Sequence, residues 1–271
     1  MNQYWKKDTR KLLFNWLPKG LYIKVLPIYF RLVNRQRSNC PYYFSLDENR
    51  NVVIHNNDKK EFVFYDHRRL NRYFLPNGLQ RIQDVMLKKY SDDHCYIEKG
   101  DVVVEIGANI GEFTIAAANI AKQIYAFEPD PNCLDCLEKN VQKFSNVEIV
   151  RMGASEENGK KVFFLSSEDA DSSFIKPKTY SDRLEIEAIR LDTWMDKTGV
   201  DYIDFLKVEA EGAELEVLKG LGNKIRQVNK ISVDGGPERE GKPTYKMVAE
   251  YLKENNFKVH VNRYQVNAHR N

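Results

Sequence analysis

From Asp101 onward the chain repeats one unit: a short apolar run, a turn, then a stretch with helical spacing. Residues 102–106 read as a strand and 113–120 as an alanine-rich helix. A strand over 124–127, a helix over 132–144 and a strand over 147–150 follow. Continuous apolar strands alternating with helices belong to a parallel sheet covered on both faces, which excludes all-helical bundles and antiparallel sandwiches. Further on, 162–165 and 184–191 predict a β-hairpin around a polar loop, 166–182. Residues 203–208 resume the parallel sheet, 214–218 begin a helix, and 231–233, 245–255 and 257–261 read as strand, helix and strand.

The first strand runs into Glu105-Ile106-Gly107-Ala108-Asn109-Ile110-Gly111. Small residues there let backbone pass close to a ligand, and the helix that follows turns its amide groups toward the strand end. A dinucleotide-binding turn would read GxGxxG and hold a pyrophosphate, but the middle glycine is missing here. A carboxylate at Glu105 would repel a pyrophosphate and attract the ammonium of an amino-acid moiety, which favours S-adenosylmethionine over NAD. The second strand ends in Phe127-Glu128-Pro129, a carboxylate about twenty residues past the turn, where such folds take up ribose hydroxyls. A tight turn with no ligand, and an acidic residue in an ordinary loop, are the structural alternatives for these two features.

The run from Gly100 to Thr114, with Phe127-Glu128-Pro129, resembles the FkbM family of methyltransferases. Leu191-Asp192 and the block Lys207-Val208-Glu209-Ala210-Glu211-Gly212-Ala213-Glu214 extend the likeness, which spans about 78–261. The resemblance implies an α/β fold, a class I methyltransferase Rossmann-like sheet, here with an N-terminal α+β extension. It divides the chain into 1–77, a basic aromatic arm with short strands, and 78–271, the methyltransferase domain. It also implies transfer of a methyl group from S-adenosylmethionine to oxygen on a glycan, a glycolipid or a small natural product. Glu105, Gly107, Asn109 and Gly111 would line the methionine end of the cofactor, Glu128 its ribose, and Gly153 and Ala154 the adenine. The family usually carries Asp where this chain has Glu105 and Glu209, so each of these carboxylates reaches one methylene further.

Proton acceptors for such a transfer belong at the carboxyl ends of parallel strands. Lys207, Glu209 and Glu211 end one strand, and their two-residue spacing puts them on one face; Asp234 ends the next. Glu209 or Asp234 is expected to take the acceptor's proton, with Lys207 and Glu211 positioning it. The same carboxylates suit a divalent cation, but with no histidine among them no resident metal is expected. A solvated turn capped by Glu211 is the structural alternative for the cluster.

Composition sets the remaining bounds. With 42% hydrophobic and 30% charged residues in 271, one sizeable core forms and extended disorder is excluded. Up to Arg37 nine basic residues stand against Asp8 alone, a charge of +8, which leaves −5 for the rest of a chain whose net charge is +3. Residues 1–38, with Trp5, Trp16 and Tyr22, either lie on an anionic membrane face or pack on their own domain. Pro18, Lys24, Pro27 and Arg31 interrupt the apolar run 12–33 too often for a membrane span, and no small-residue cleavage site marks a secretory leader. Four cysteines make no disulfide framework, and the pair Cys133 and Cys136 reads as helix packing. A cytoplasmic location, in reach of a membrane's inner face, is expected. Short strands are expected between 41 and 65, and a helix over 78–90. The acidic body argues against nucleic acid as partner, although RNA methylation, and a non-catalytic module that keeps the pocket as a fold element, are the competing functions.

Overall fold

The computed structural model describes residues 18, 20–25, 28, 42–55, 61–64, 78–165 and 172–270. The basic arm over 1–38 therefore lies largely outside the described residues, as do Cys40 and the stretch 166–171 of the polar loop. The chain forms two units, Met1–Ile82 and Gln83–Asn271.

In the first unit β1 (Tyr43–Leu46), β2 (Val52–His55) and β3 (Glu61–Phe64) make an antiparallel three-stranded meander. Val52 and Ile54 are fully buried in it, and the Asp47 carboxylate closes the first turn by accepting the Asn51 amide at 2.7 Å. Residues 20–25 are helical, and α1 (Gly78–Lys89) begins in this unit. No helix among the described residues is long and apolar enough to cross a membrane.

The second unit is built on a seven-stranded sheet. Its elements are β4 (Val102–Ile106), α2 (Glu112–Ala118), β5 (Gln123–Phe127), α3 (Pro131–Val141) and β6 (Val147–Val150). Then come β7 (Gly153–Ala154), β8 (Gly159–Leu165), β9 (Asp182–Ile189) and α4 (Leu191–Thr198). The chain closes with β10 (Ile203–Val208), α5 (Glu214–Lys219), a 3-10 turn (Gly222–Gln227), β11 (Val228–Asp234), α6 (Tyr245–Glu254), β12 (Lys258–Asn262) and β13 (Gln265–His269). The sheet order is β12-β13-β11-β10-β4-β5-β6. Strands β11, β10, β4, β5 and β6 run parallel, and β13 is antiparallel to both its neighbours. This is the class I methyltransferase sheet, and chain order reverses between β4 and β10, so a crevice is expected beyond the carboxyl ends of those strands.

Apolar side chains from both faces bury the strands. Val103, Val104, Phe205, Leu206, Ile231 and Val233 are all inaccessible to solvent, which is why they read as continuous runs in place of an alternation. Cys133 and Cys136 are buried on α3, packed into the second unit.

Three elements were not legible beforehand. Helix α4 follows β9 at once, and Leu191, Trp194 and Met195 bury its inner face at helical spacing. Trp194 meets Tyr125 and Phe127 edge-on at 5.0 and 5.1 Å. Strand β13 carries alternating Val266 and Ala268 inward, but the turn before it has no glycine. Arg263 supplies the positive φ of 58° instead, so no turn residue announced the hairpin. Strand β7 is two residues long and adds to the expected hairpin, giving a second sheet β7-β9-β8.

Candidate active site

The core of the site is a lysine inside the sheet. Lys207 on β10 lies beside Glu105 on β4 in the parallel register, and both side chains are 1% exposed. Burying an ammonium is costly unless it is paired and hydrogen-bonded. Lys207 Nζ donates to the Gly107 carbonyl at 2.7 Å and lies 3.4 Å from both the Ile106 carbonyl and Glu105 Oε1. It also pairs with Glu209 Oε2 at 3.2 Å, and the rings of Tyr90 and Phe113 flank it at 5.2 and 5.9 Å.

This pairing changes the reading of Glu105. Its Oε2 accepts the Thr114 hydroxyl at 2.7 Å and its Oε1 faces Lys207, so the carboxylate is neutralised within the chain. Burial raises its pKa, with Lys207 and Thr114 opposing that rise. Glu105 thus faces Lys207 and Thr114 inside the sheet, and Lys207 shares its charge with Glu209 as well.

The turn itself is shaped by close backbone approach. Gly107 adopts φ 76°, and a Cβ there would stand 2.1 Å from the Glu209 carbonyl oxygen. Asn109 and Gly111 take φ 53° and 91°, so three residues of the turn lie in the left-handed region. The amides of Gly107 and Ala108 donate to the Phe127 carbonyl, and Asn140 Nδ2 on α3 donates to the Ile110 carbonyl at 2.7 Å. The path from β4 into α2 is thereby fastened to β5 and α3.

Glu128 stands at the tip of β5, where the Asn109 amide donates to Oε2 at 2.6 Å and the Asp130 amide to Oε1 at 2.8 Å. Burial nonetheless dominates and pushes its pKa from 4.5 up to about 7. A buried carboxylate with spare lone pairs on both oxygens fits a ligand that offers hydroxyl donors, as a ribose does. Gly153 and Ala154 are buried in β7. The small size of Gly153 is set by the Phe174 ring, which a Cβ would meet at 2.3 Å.

The expected cluster of Lys207, Glu209 and Glu211 on one strand face holds only in part. Strand β10 ends at Val208, and Glu211 has φ 49° in the turn beyond it, so strand alternation does not carry that far. Lys207 meets Glu209, whereas the Glu211 carbonyl accepts the Ser173 hydroxyl at 2.8 Å. Glu214, fully buried, folds the same turn: its Oε1 accepts the Gly212 amide at 2.8 Å and its Oε2 the Thr244 hydroxyl at 2.7 Å.

Asp234 does join Glu209, through a residue that the sequence did not single out. Lys89, the last residue of α1, places Nζ 2.7 Å from Glu209 Oε1 and 2.7 Å from Asp234 Oδ2. Nothing in the linear chain marked this lysine, which is 120 residues from Glu209. Its ammonium stands between the carboxylates proposed as ligands for a divalent cation, and among the described residues no group of three His, Cys, Asp or Glu is set to hold a metal. Burial pushes the Glu209 carboxyl up, but Lys207 and Lys89 overcome that and hold it well below its ordinary range. Tyr90, also unforeseen, is fully buried, and its hydroxyl makes no hydrogen bond of good geometry among the described residues. The loop after β8 reaches both tips, since Ser172 Oγ donates to Asp130 Oδ2 at 2.8 Å while Ser173 meets Glu211.

Residues 105–259 match the family described as the methyltransferase FkbM domain. The chain belongs to the FkbM methyltransferase family. It is 31% identical over 154 residues to the hexuronic acid methyltransferase AglP of Haloferax volcanii, covering 56% of this chain and 63% of that one. It is 30% identical over 173 residues to the methyltransferase sdnD of Sordaria araneosa (49% of this chain, 67% of that one). It is 27% identical over 143 residues to the 2-O-methyltransferase NoeI of Sinorhizobium fredii (46% and 59%). The chain thus spans about three fifths to two thirds of the length of these relatives. Its FkbM domain is an S-adenosylmethionine-dependent methyltransferase domain, and S-adenosylmethionine, not a dinucleotide, is its cofactor.

Two stability measurements check this electrostatic arrangement. Lys207→Met leaves Glu105 buried and unpaired and should cost about 3–5 kcal/mol in urea unfolding. Lys207→Met with Glu105→Gln should cost less than the two single changes added together. Glu128 is protonated at higher pH folded than unfolded, so its contribution to stability is complete below 4.5 and is lost as pH rises through about 7. Over that window the urea midpoint of the ligand-free protein should fall more steeply with pH than that of Glu128→Gln.

Proposed function

We propose that this chain methylates a hydroxyl oxygen of a sugar in a glycan, a glycolipid or a glycosylated small product, with Asp234 as the proton acceptor. When bound, S-adenosylmethionine supplies an electrophilic methyl group on a sulfonium and departs as S-adenosylhomocysteine. The Gly107–Gly111 turn would hold its methionine end, Glu128 would accept hydrogen bonds from its ribose hydroxyls, and the backbone of Gly153 and Ala154 would border its adenine. Glu105 would act at one remove, by fixing Lys207 against the turn.

The observation that carries the choice of base is how the carboxylate oxygens are used. Both oxygens of Glu209 face an ammonium, Lys89 on one side and Lys207 on the other, and a carboxylate held this strongly ionised is a poor proton acceptor. Asp234 pairs with Lys89 through Oδ2, and its Oδ1 has no partner among the described residues. That oxygen, a quarter-exposed carboxylate at the tip of β11, is available to a hydroxyl. A chain of contacts from Asp234 through Lys89, Glu209 and Lys207 to the Gly107 carbonyl ties it to the cofactor turn. Lys207 and Glu209 are then positioning residues, and Glu211 shapes the loop.

The sugar acceptor is supported by two relatives whose names specify hexuronic acid methylation and 2-O-methylation. A neutral or anionic sugar hydroxyl needs alignment and one proton acceptor, and the site offers both. The test uses labelled S-adenosylmethionine with isolated glycans. Label should enter the glycan fraction, and Asp234→Asn should reduce transfer about 10²- to 10⁴-fold while S-adenosylhomocysteine binds as in the wild type. Label entering RNA or protein alone, or full turnover in Asp234→Asn, would reject the proposal.

A further inference from the structure

We infer that Lys89 is a positioning residue for methyl transfer, a tethered ammonium that sets the carboxylates of Glu209 and Asp234 and leaves Asp234 Oδ1 open to the acceptor hydroxyl. The inference rests on the reading of Asp234 as the proton acceptor.

Glu209 follows the last residue of β10 and Asp234 is the last residue of its parallel neighbour β11, and each is 25% exposed on its side chain. Like charges at adjacent strand tips repel, and in the absence of a cation between them they would turn away from each other. Lys89 Nζ stands 2.7 Å from one oxygen of each, so one charge satisfies two carboxylates and settles which oxygen of each is occupied. Burial alone would lower the pKa of this ammonium, yet the Glu209 and Asp234 carboxylates raise it above its ordinary value, so it stays charged across the working range. The charged and titratable groups in contact with it among the described residues are Glu209, Asp234 and Tyr90, and Lys207 reaches Glu209 from the other side. Burial, and then the Glu209 carboxylate, raise the Tyr90 hydroxyl well above its usual range, so it remains neutral beside them. Lys89 Nζ also lies 4.8 Å from the centre of the Tyr90 ring, which holds the ammonium from a third side.

A lysine on a helix end could do this for stability alone, and three measurements on the full-length protein separate the two roles. Lys89→Met should lower kcat at least tenfold with S-adenosylhomocysteine affinity changed less than twofold. Lys89→Arg should recover a substantial part of that loss, because it restores the charge. In the ligand-free protein the Glu209 carboxyl, followed by carbon NMR, should titrate at higher pH in Lys89→Met than in the wild type. If Asp234→Asn is inactive while folded Lys89→Met keeps wild-type kcat, or if Arg restores nothing, or if the Glu209 titration does not move, the inference about Lys89 fails and the reading of Asp234 stands. If Asp234→Asn turns over fully, that reading fails, and the role of Lys89 in transfer falls with it.

Discussion

The second unit is organised around an ammonium group that has no route to water. Lys207 sits in a central strand, and its charge is tolerated because two carbonyls and two carboxylates surround it. Each of those partners is thereby placed. The Gly107 carbonyl is drawn in, which fixes the turn from β4 to α2, and the Glu209 backbone then passes so close that only glycine fits at 107. Glu209, held on its other side by Lys89, carries the constraint outward to Asp234. A buried charge in the core is thus linked to groups at the strand tips.

Four carboxylates near the strand tips differ in surroundings, and their chemistry differs accordingly. Glu105 is sealed in the sheet and neutralised by Lys207. Glu128 is buried at backbone amides, and burial pushes its pKa up to about 7. Glu209, between two ammonium groups, stays ionised far into acid. Asp234 keeps one oxygen unengaged. In the proposed reaction these surroundings would assign the roles: Glu128 to ribose, Glu209 to alignment and Asp234, with its open oxygen, to the proton.

The sheet was largely legible because its strands are apolar on both faces, and such runs declare themselves in sequence. Helix α4 was obscured because its first residue, Leu191, continues the apolar pattern of β9, and β13 because Arg263 makes its turn without glycine. Lys207, Glu209 and Asp234 were singled out from their places near strand ends, and the structure brings them together through Lys89. Glu209 and Glu211 both lie past the strand, since alternation counts residues and cannot see that it stops at Val208, and Glu211 turns away with φ 49°. Glu105 was read as a ligand group, and the structure adds a partner inside the sheet, Lys207. A carboxylate looks like a ligand group in sequence until the cross-strand lysine is known to lie beside it. Lys89 and Tyr90 were invisible because their partners are brought together only by the fold, over sequence separations that no local pattern spans.

A crystal structure of the complex with S-adenosylhomocysteine tests the central claim most directly. The account predicts ribose hydroxyls on Glu128, the amino-acid portion over the Gly107–Gly111 turn, and the sulfur facing the open side of Asp234, with the Lys207 contacts to Gly107 and Glu105 intact. A ligand held elsewhere, or one whose sulfur is walled off from Asp234, would contradict it.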